Sequence, residues 1–140
     1  MGAFEAKISG NFSGVLRWED LDRLWDRIGS ETGWHISAAG APAPEAPASR
    51  EDLGKFLAEI AALLRSEHPE EYCGIVYVDY PEAPSMAKIY DPSKIGSSCS
   101  RGKPYPPGWI LSKDRPSSPI DGGEHVDGNR KRWWASLFGN

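Results

Sequence analysis

The loop from Gly96 to Lys103 holds the residue types that bind a phosphate or attack a substrate. It reads GSSCSRGK, with three serines, one thiol and two cations. A phosphate-binding loop of the strand–loop–helix type needs four residues between its glycines, and Ser or Thr after its lysine at the start of a helix. Here five residues separate Gly96 from Gly102, and Pro104 follows the lysine. The spacing therefore predicts a flexible loop rather than a phosphate site.

Cys99, in the middle of this loop, is the one candidate nucleophile. Neighbouring Arg101 and Lys103 favour the thiolate form, which is the reactive form of cysteine. A nucleophile also needs a base within hydrogen-bond reach, and nothing in the sequence places a histidine beside Cys99. A small enzyme or redox protein that uses Cys99 is therefore only a second alternative to the non-enzymatic functions considered below. Cys73 lies in an apolar run and is expected to be a small buried residue.

The three histidines do not have the spacing of a metal site. His35, His68 and His125 are far apart in the chain, and there is no Cys-x-x-Cys pair. Structural zinc sites use closely spaced Cys and His ligands. The sequence predicts no catalytic residue, no metal and no cofactor, and the interpretation is a non-enzymatic protein.

Charge is distributed unevenly along the chain. Among the 140 residues, 16 are Lys or Arg and 20 are Asp or Glu, for a net charge of −4. All 20 acidic residues and 13 of the basic ones precede residue 130, so residues 1–129 carry −7 and residues 130–140 carry +3. An acidic body repels phosphate backbones, which argues against nucleic-acid binding. With neither a signal peptide nor a membrane-spanning run, we expect a cytoplasmic protein of bacterial type.

Two segments have the periodicity of amphipathic helices. Leu21, Leu24, Trp25 and Ile28 recur at helical spacing, which predicts a helix over residues 16–28. A second apolar stripe runs from Leu53 to Leu64, with Ser49 as N-cap and His68-Pro69 as its end.

Short strands are predicted between and after these helices. Residues 34–38 alternate in polarity, 72–80 are apolar on both faces, and 85–90 return after a proline-rich turn. A strand, a helix and a strand in succession can form a right-handed crossover. We therefore predict an α+β fold, with a small mixed sheet of three to four strands covered by two helices on one face, its other face only partly protected.

Two stretches are predicted to be irregular. Residues 40–48 are a Pro/Ala connector. Residues 91–123 form a long Pro/Gly/Ser-rich loop, in which only Trp109-Ile110-Leu111 suggests a strand. The predicted organisation is a single domain over 1–120, a flexible tether over 121–129 and an interaction segment over 130–140.

The C-terminal segment RKRWWASLFGN is the stretch that suggests a function. On a helix its four large apolar residues share one broad face, after three cations at the start. So short a helix is not stable alone in water, so it must form on another surface. Trp and Arg are the commonest hot-spot residues of protein interfaces. We therefore expect an accessory or adaptor protein that docks onto a larger protein complex through this segment. The predicted contacts are Arg130, Lys131, Arg132, Trp133, Trp134, Leu137 and Phe138, with Trp18 and Trp109 as a second contact.

Two other interpretations of the segment stay open. In residue types it resembles, over about ten residues, the amphipathic C-terminal tails of the MinD family of cell-division ATPases. That resemblance implies a peripheral membrane protein held reversibly on an anionic membrane surface by the same basic and aromatic residues. In the last interpretation the segment folds back and covers an apolar patch of its own domain.

Overall fold

A computed structural model describes residues 3–94, 106–120 and 126–137. The helices are α1 (Ala3–Ile8), α2 (Trp18–Gly29), α3 (Arg50–Glu67) and α4 (Gly128–Leu137). The strands are β1 (Ser13–Val15), β2 (His35–Ala38), β3 (Val76–Val78), β4 (Met86–Ile89) and β5 (Trp109–Ser112), and a 3-10 turn spans Pro92–Lys94. The predicted α+β class is confirmed.

The two predicted amphipathic helices are α2 and α3. In α2 the four residues of the predicted stripe are all buried. In α3 the Ser49 hydroxyl accepts a hydrogen bond from Asp52 N at 3.1 Å, which caps the helix as predicted. The chain leaves α3 at His68, whose N–H still donates to the carbonyl of Leu64. Local sequence signals therefore set both ends of α3.

The sheet departs from the prediction in strand number and direction. The described strands number five, in the order β1-β3-β4-β5-β2, and every neighbouring pair is antiparallel. The predicted mixed sheet of three to four strands is therefore wrong in detail. A right-handed crossover from β2 to β3 does not form, because β4 and β5 lie between them and β3 runs antiparallel to β2.

The predicted strand over residues 72–80 is shortened to β3 by Gly74. This glycine has a φ of +68°, in the left-handed region, which interrupts an extended strand. Its N–H donates to the carbonyl of Val15 at 3.0 Å, and the N–H of Cys73 donates to Leu16 O at 2.7 Å. These bonds attach the segment before β3 to the end of β1.

One face of the sheet, here called the inner face, packs against α2, α3 and α4. It contributes a continuous core of small and branched side chains together with one tryptophan. The inner-face residues are Val15, Ile36, Ala38, Val76, Val78, Ala87, Ile89, Trp109 and Leu111. Successive side chains of a strand point to opposite faces of the sheet. The strand residues between those of the inner face therefore point to the opposite face, here called the outer face.

The outer face is covered by α1. Phe4 packs with Met86 and Ile110 in a second cluster, which Ile8 and Phe12 border. The prediction of two helices on one side missed this helix, because six residues carry too weak a periodicity to be recognised. The described chain therefore has three layers, with α1 outside, the sheet in the middle and α2, α3 and α4 inside. Within the described part of the chain, no helix is both long and apolar enough to cross a membrane.

Candidate interaction surface of the C-terminal helix

Most of the C-terminal segment forms α4, and α4 packs on its own domain. The helix begins after Asp127, whose carbonyl accepts from the N–H groups of Arg130 and Lys131 at 3.1 Å. It lies against α3 and against the side chains of β5. This is the arrangement that the fold-back interpretation describes.

Aromatic rings form the central contact between α4 and the body. The ring of Trp133 lies edge-on to Trp109, with centroids 5.5 Å apart, and to Phe56 at 6.4 Å. The ring of Trp134 also meets Phe56 edge-on at 6.3 Å. One helix turn further, Leu137 is fully buried in the main core. Such edge-to-face pairs stabilise packing by about 0.5–1.5 kcal/mol each beyond the area that they bury.

Arg130 fastens the other end of α4 through two carboxylates. Its Nη1 lies 2.9 Å from Glu67 Oε2, at the end of α3. Its Nε lies 2.9 Å from Asp91 Oδ2 and its Nη2 lies 3.0 Å from Asp91 Oδ1, just after β4. The Arg130 side chain is only 7% exposed and Asp91 only 11%. We call these three residues the Arg130 clasp, because they join α4, α3 and the end of β4.

The clasp shifts the pKa values of Arg130 and Asp91. Hydrogen bonds from Arg130 to Glu67 and to Asp91 outweigh the effect of burial and raise the pKa of the guanidinium above its ordinary value. Burial alone would raise the pKa of Asp91, but hydrogen bonds from Arg130 and Ser93 outweigh it and hold that pKa below the usual range. Both shifts favour the charged forms of Arg130 and Asp91.

The outward side of α4 combines cations with aromatic edges. Lys131 and Arg132 are exposed, while Trp133 and Trp134 are half-buried. A cleft of about 320 Å³ opens beside Lys131 and Trp134. Small residues of the connector after β2 line one side of the cleft, and α4 lines the other. Its main lining residues are Ala39, Ala41, Pro42, Trp109, Lys131 and Trp134.

The seven predicted contacts thus lie in three different environments. Arg130 and Leu137 are buried inside the domain, Lys131 and Arg132 point outward, and the two tryptophans lie between these extremes. Phe138 lies outside the described residues.

The two predicted second contacts differ as well. Trp109 is 3% exposed and covered by α4. Trp18 is half-buried, donates from Nε1 to the carbonyl of Glu70 at 2.9 Å, and has the guanidinium of Arg65 4.9 Å from its ring centroid.

The candidates for catalysis and metal binding are not brought together. The loop with Cys99, and His125, lie outside the described residues. Cys73 is buried, and burial raises the pKa of its thiol. His35 is buried on the outer face, with Nδ1 3.2 Å from Ser112 O, and His68 Nε2 lies 2.8 Å from Cys73 O. Within the described residues, no group of three or more His, Cys, Asp or Glu side chains is placed to hold a metal ion.

Sequence reasoning missed Glu67 and Asp91. Each looks like an ordinary end-of-element carboxylate, and 39 or more residues separate them from Arg130. The available signal was the cation at the start of α4, where a helix dipole disfavours positive charge unless carboxylates neutralise it. No family model, no curated protein and no solved structure matches this chain.

Proposed function

We propose that this protein is a non-enzymatic accessory protein that docks onto a larger protein complex through the outward side of α4. The observation that carries the proposal is the exposed pair Lys131 and Arg132 beside two half-buried tryptophans and an open cleft. Trp and Arg with an adjacent pocket are typical of interface hot spots. A cationic ridge on an acidic body also gives such a partner a defined orientation.

In this proposal, one side of α4 positions the helix and the other side contacts the partner. Arg130 and Leu137 position the helix, because both are buried against the body. Lys131 and Arg132 then face a partner that carries carboxylates, and the cleft beside Trp134 receives an apolar side chain. The helix is preorganised on the domain, so binding does not require a disordered tail to fold, which would lower the affinity.

The experiment is affinity capture from native lysate with the full chain, followed by identification of the bound proteins. Lys131→Glu and Arg132→Glu each reverse one exposed charge of α4. Arg115→Glu is the matched control, because the Arg115 side chain is 65% exposed and its ion pair with Glu45 is long, at 3.9 Å. We expect one protein complex to be retained by the wild type and by the control, and to be lost from both α4 variants. Melting temperatures should be equal for all four proteins.

A removal of the whole segment is a poorer test. Deleting residues 130–140 would uncover Phe56 and Trp109 and leave the two carboxylates of the clasp without their cation. The domain would be destabilised, and a lost partner would then have two explanations. Point changes on the outward side avoid this.

Two outcomes would overturn the proposal. If the same complex is bound by the wild type, the α4 variants and the control, α4 is not the docking surface. If no complex is captured but the protein binds vesicles of phosphatidylglycerol, more weakly in Lys131→Glu and at high salt, the segment contacts an anionic membrane surface instead. Binding to neutral phosphatidylcholine vesicles is the control for that arm.

A further inference from the structure

The edge of the sheet farthest from α4 is open. β1 pairs with β3 on one side, and no other described strand lies beyond it. Ser13 and Gly14 are exposed, whereas all four residues of β2, at the opposite edge, are buried. An open edge strand is a template for the addition of another strand.

The ladder indicates which backbone groups face the open edge. At the two ends of β3, the N–H of Asp79 donates to Met86 O and the N–H of Tyr90 donates to Ile75 O. In an antiparallel sheet, successive residues of a strand bond to opposite neighbours. Val76 and Val78 therefore bond to β1 through their partners Val15 and Ser13. Gly14, between those partners, directs its N–H and C=O to the open edge.

A cleft of about 550 Å³ runs beside this edge, between β1, α2 and the turn after β3. Its apolar lining includes Val15 and Leu24 from the core. Leu16, which follows β1 directly, also lines the cleft and is 62% exposed. An apolar side chain of an added strand would find a matching surface here.

Three arginines line the same cleft: Arg17, Arg23 and Arg27. Arg17 is exposed, with no ion pair to any described residue. Arg23 lies 2.7 Å from Asp20, in a pair that is more than half exposed on both sides. Two carboxylates, Asp20 and Glu82, also line the cleft. The cleft lining is thus net positive in a chain whose net charge is −4.

The far wall of the cleft is held in place by hydrogen bonds. Oδ1 of Asp79 accepts from the N–H groups of Tyr80, Ser85 and Met86 at 2.9–3.1 Å, which fixes the turn after β3. Nη1 of Arg27 donates to the carbonyl of Pro81 at 2.6 Å and ties α2 to that turn. The cleft is therefore preformed, and a ligand does not have to order it.

We propose that the open edge of β1 binds an extended segment of a partner protein in which acidic and apolar side chains alternate. The segment adds as a strand, with main-chain hydrogen bonds to Gly14, a mode of peptide recognition that uses sheet edges. Because successive side chains of a strand point to opposite faces, the carboxylates of the segment point toward α2 and pair with Arg17 and Arg23. Its apolar side chains point to the other side and lie on Leu16, the exposed residue that follows the inner-facing Val15. This surface lies at the opposite edge of the sheet from α4, so it stands independently of the docking role proposed for α4.

The test uses two defined peptides and the full-length protein. The probe is a capped peptide of alternating glutamate and valine, EVEVE, and the control is KVKVK, with the same backbone and apolar residues but opposite charge. Amide shifts of the ¹⁵N-labelled protein are followed during titration to about 5 mM, which detects a Kd in the millimolar range. We expect EVEVE to shift residues 13–17 and 23–27, and KVKVK to leave them unchanged. Hydrogen exchange at the Gly14 amide should slow in the EVEVE complex only.

Variants separate this site from general charge effects. Arg17→Glu should weaken EVEVE binding by about fivefold or more, since it removes one exposed ion pair and adds a repulsion. Arg115→Glu is the matched control, because Arg115 is 65% exposed and lines neither of the two clefts, and it should leave EVEVE binding unchanged. The proposal is overturned if neither peptide causes localised shifts, if both bind equally, or if Gly14 exchange is not slowed. Concentration-dependent shifts at β1 without peptide would show a second copy of the chain as the occupant instead.

Discussion

The two ends of the sheet use the same residue type in opposite ways. At the α4 end, Arg130 is buried between Glu67 and Asp91 and holds the domain together. At the β1 end, Arg17 and Arg23 project into solvent beside an open cleft. A guanidinium that is surrounded by carboxylates and excluded from water acts within the fold, whereas one without such surroundings remains available to a partner.

The difference lies in the carboxylates, which only the fold brings together. Both regions place arginines close to aromatic residues in the sequence: Arg17 lies directly before Trp18, and Arg130 lies three residues before Trp133. Arg130 meets carboxylates that are 63 and 39 residues away, whereas Arg23 meets Asp20 three residues away on the same helix. Long-range pairs such as those of Arg130 restrain tertiary structure, while a pair within one exposed helix contributes about 0.3–0.5 kcal/mol. Three comparisons of matched residues test this contrast.

The largest effect is expected from removing the buried arginine. Arg130→Ala leaves Asp91 buried without its cation and should lower the free energy of unfolding by about 2–4 kcal/mol, somewhat less than for a fully buried pair because Glu67 is 41% exposed. Arg17→Ala is the matched change at the open edge and should alter stability by less than about 0.5 kcal/mol. Urea unfolding followed by tryptophan fluorescence measures both.

Arg130→Lys refines the same comparison. Lysine keeps the charge but cannot form paired hydrogen bonds with two carboxylates, so its stability should lie between those of wild type and Arg130→Ala. Equal stability of Arg130→Ala and Arg17→Ala would contradict a structural role for the clasp.

Leucines provide the second matched pair. Leu137 is 2% exposed at the end of α4, and Leu16 is 62% exposed beside β1. Leu137→Ala should lower the free energy of unfolding by about 2–3 kcal/mol, because it leaves a cavity in the main core. Leu16→Ala should change it by less than about 0.5 kcal/mol. If Leu137→Ala unfolds at the same urea concentration as wild type, α4 does not pack on the body in solution.

The helices that hold these ends were accessible to sequence reasoning, and the sheet was only partly so. The stripes of α2 and α3 extend over three turns or more, and Ser49 marks a helix start by its own chemistry. The short strand suggested by Trp109-Ile110-Leu111 is confirmed as β5, but nothing in its proline-rich surroundings indicated β2 and β4 as its partners. β1 has only three residues, too few for a recognisable alternation. Antiparallel order depends on pairings between distant residues, which a local pattern does not encode.

The candidate site shows the same limit. The basic and aromatic composition of the segment predicted an interaction helix, and α4 does form. Which of its sides points outward depends on Asp91 and Phe56, which are brought to it by β4 and α3. At the other end, the positive cleft was not foreseen, because its arginines come from a segment that reads as an ordinary charged helix. Side-chain accessibility, rather than residue type, separates the two groups.

The smallest effect, and the most specific, concerns two aspartates at the opposite ends. Burial alone would raise the pKa of both Asp79 and Asp91, but hydrogen bonds outweigh it and the pKa of each lies below the ordinary 3.8. For Asp91 the bonds include Arg130, whereas for Asp79 they come from Ser85 and from backbone N–H groups. A lowered pKa in the folded state means that each carboxylate stabilises the fold above its unfolded pKa. That contribution is lost as the pH falls through the folded pKa.

Arg130→Met should therefore affect one aspartate and not the other. Without the cation, only the hydrogen bonds from Ser93 oppose the effect of burial on the pKa of Asp91, so this pKa should rise. The pKa of Asp79, which has no contact with Arg130 among its causes, should not change. Carboxyl ¹³C shifts followed from neutral to acidic pH in both proteins measure this directly. The free energy of unfolding of the variant should also fall less on acidification than that of wild type, because ionised Asp91 no longer adds to it. A pKa of Asp91 that does not move would mean that Ser93 and the backbone, rather than Arg130, keep this carboxylate ionised, and that the two ends of the sheet differ less than their arginines suggest.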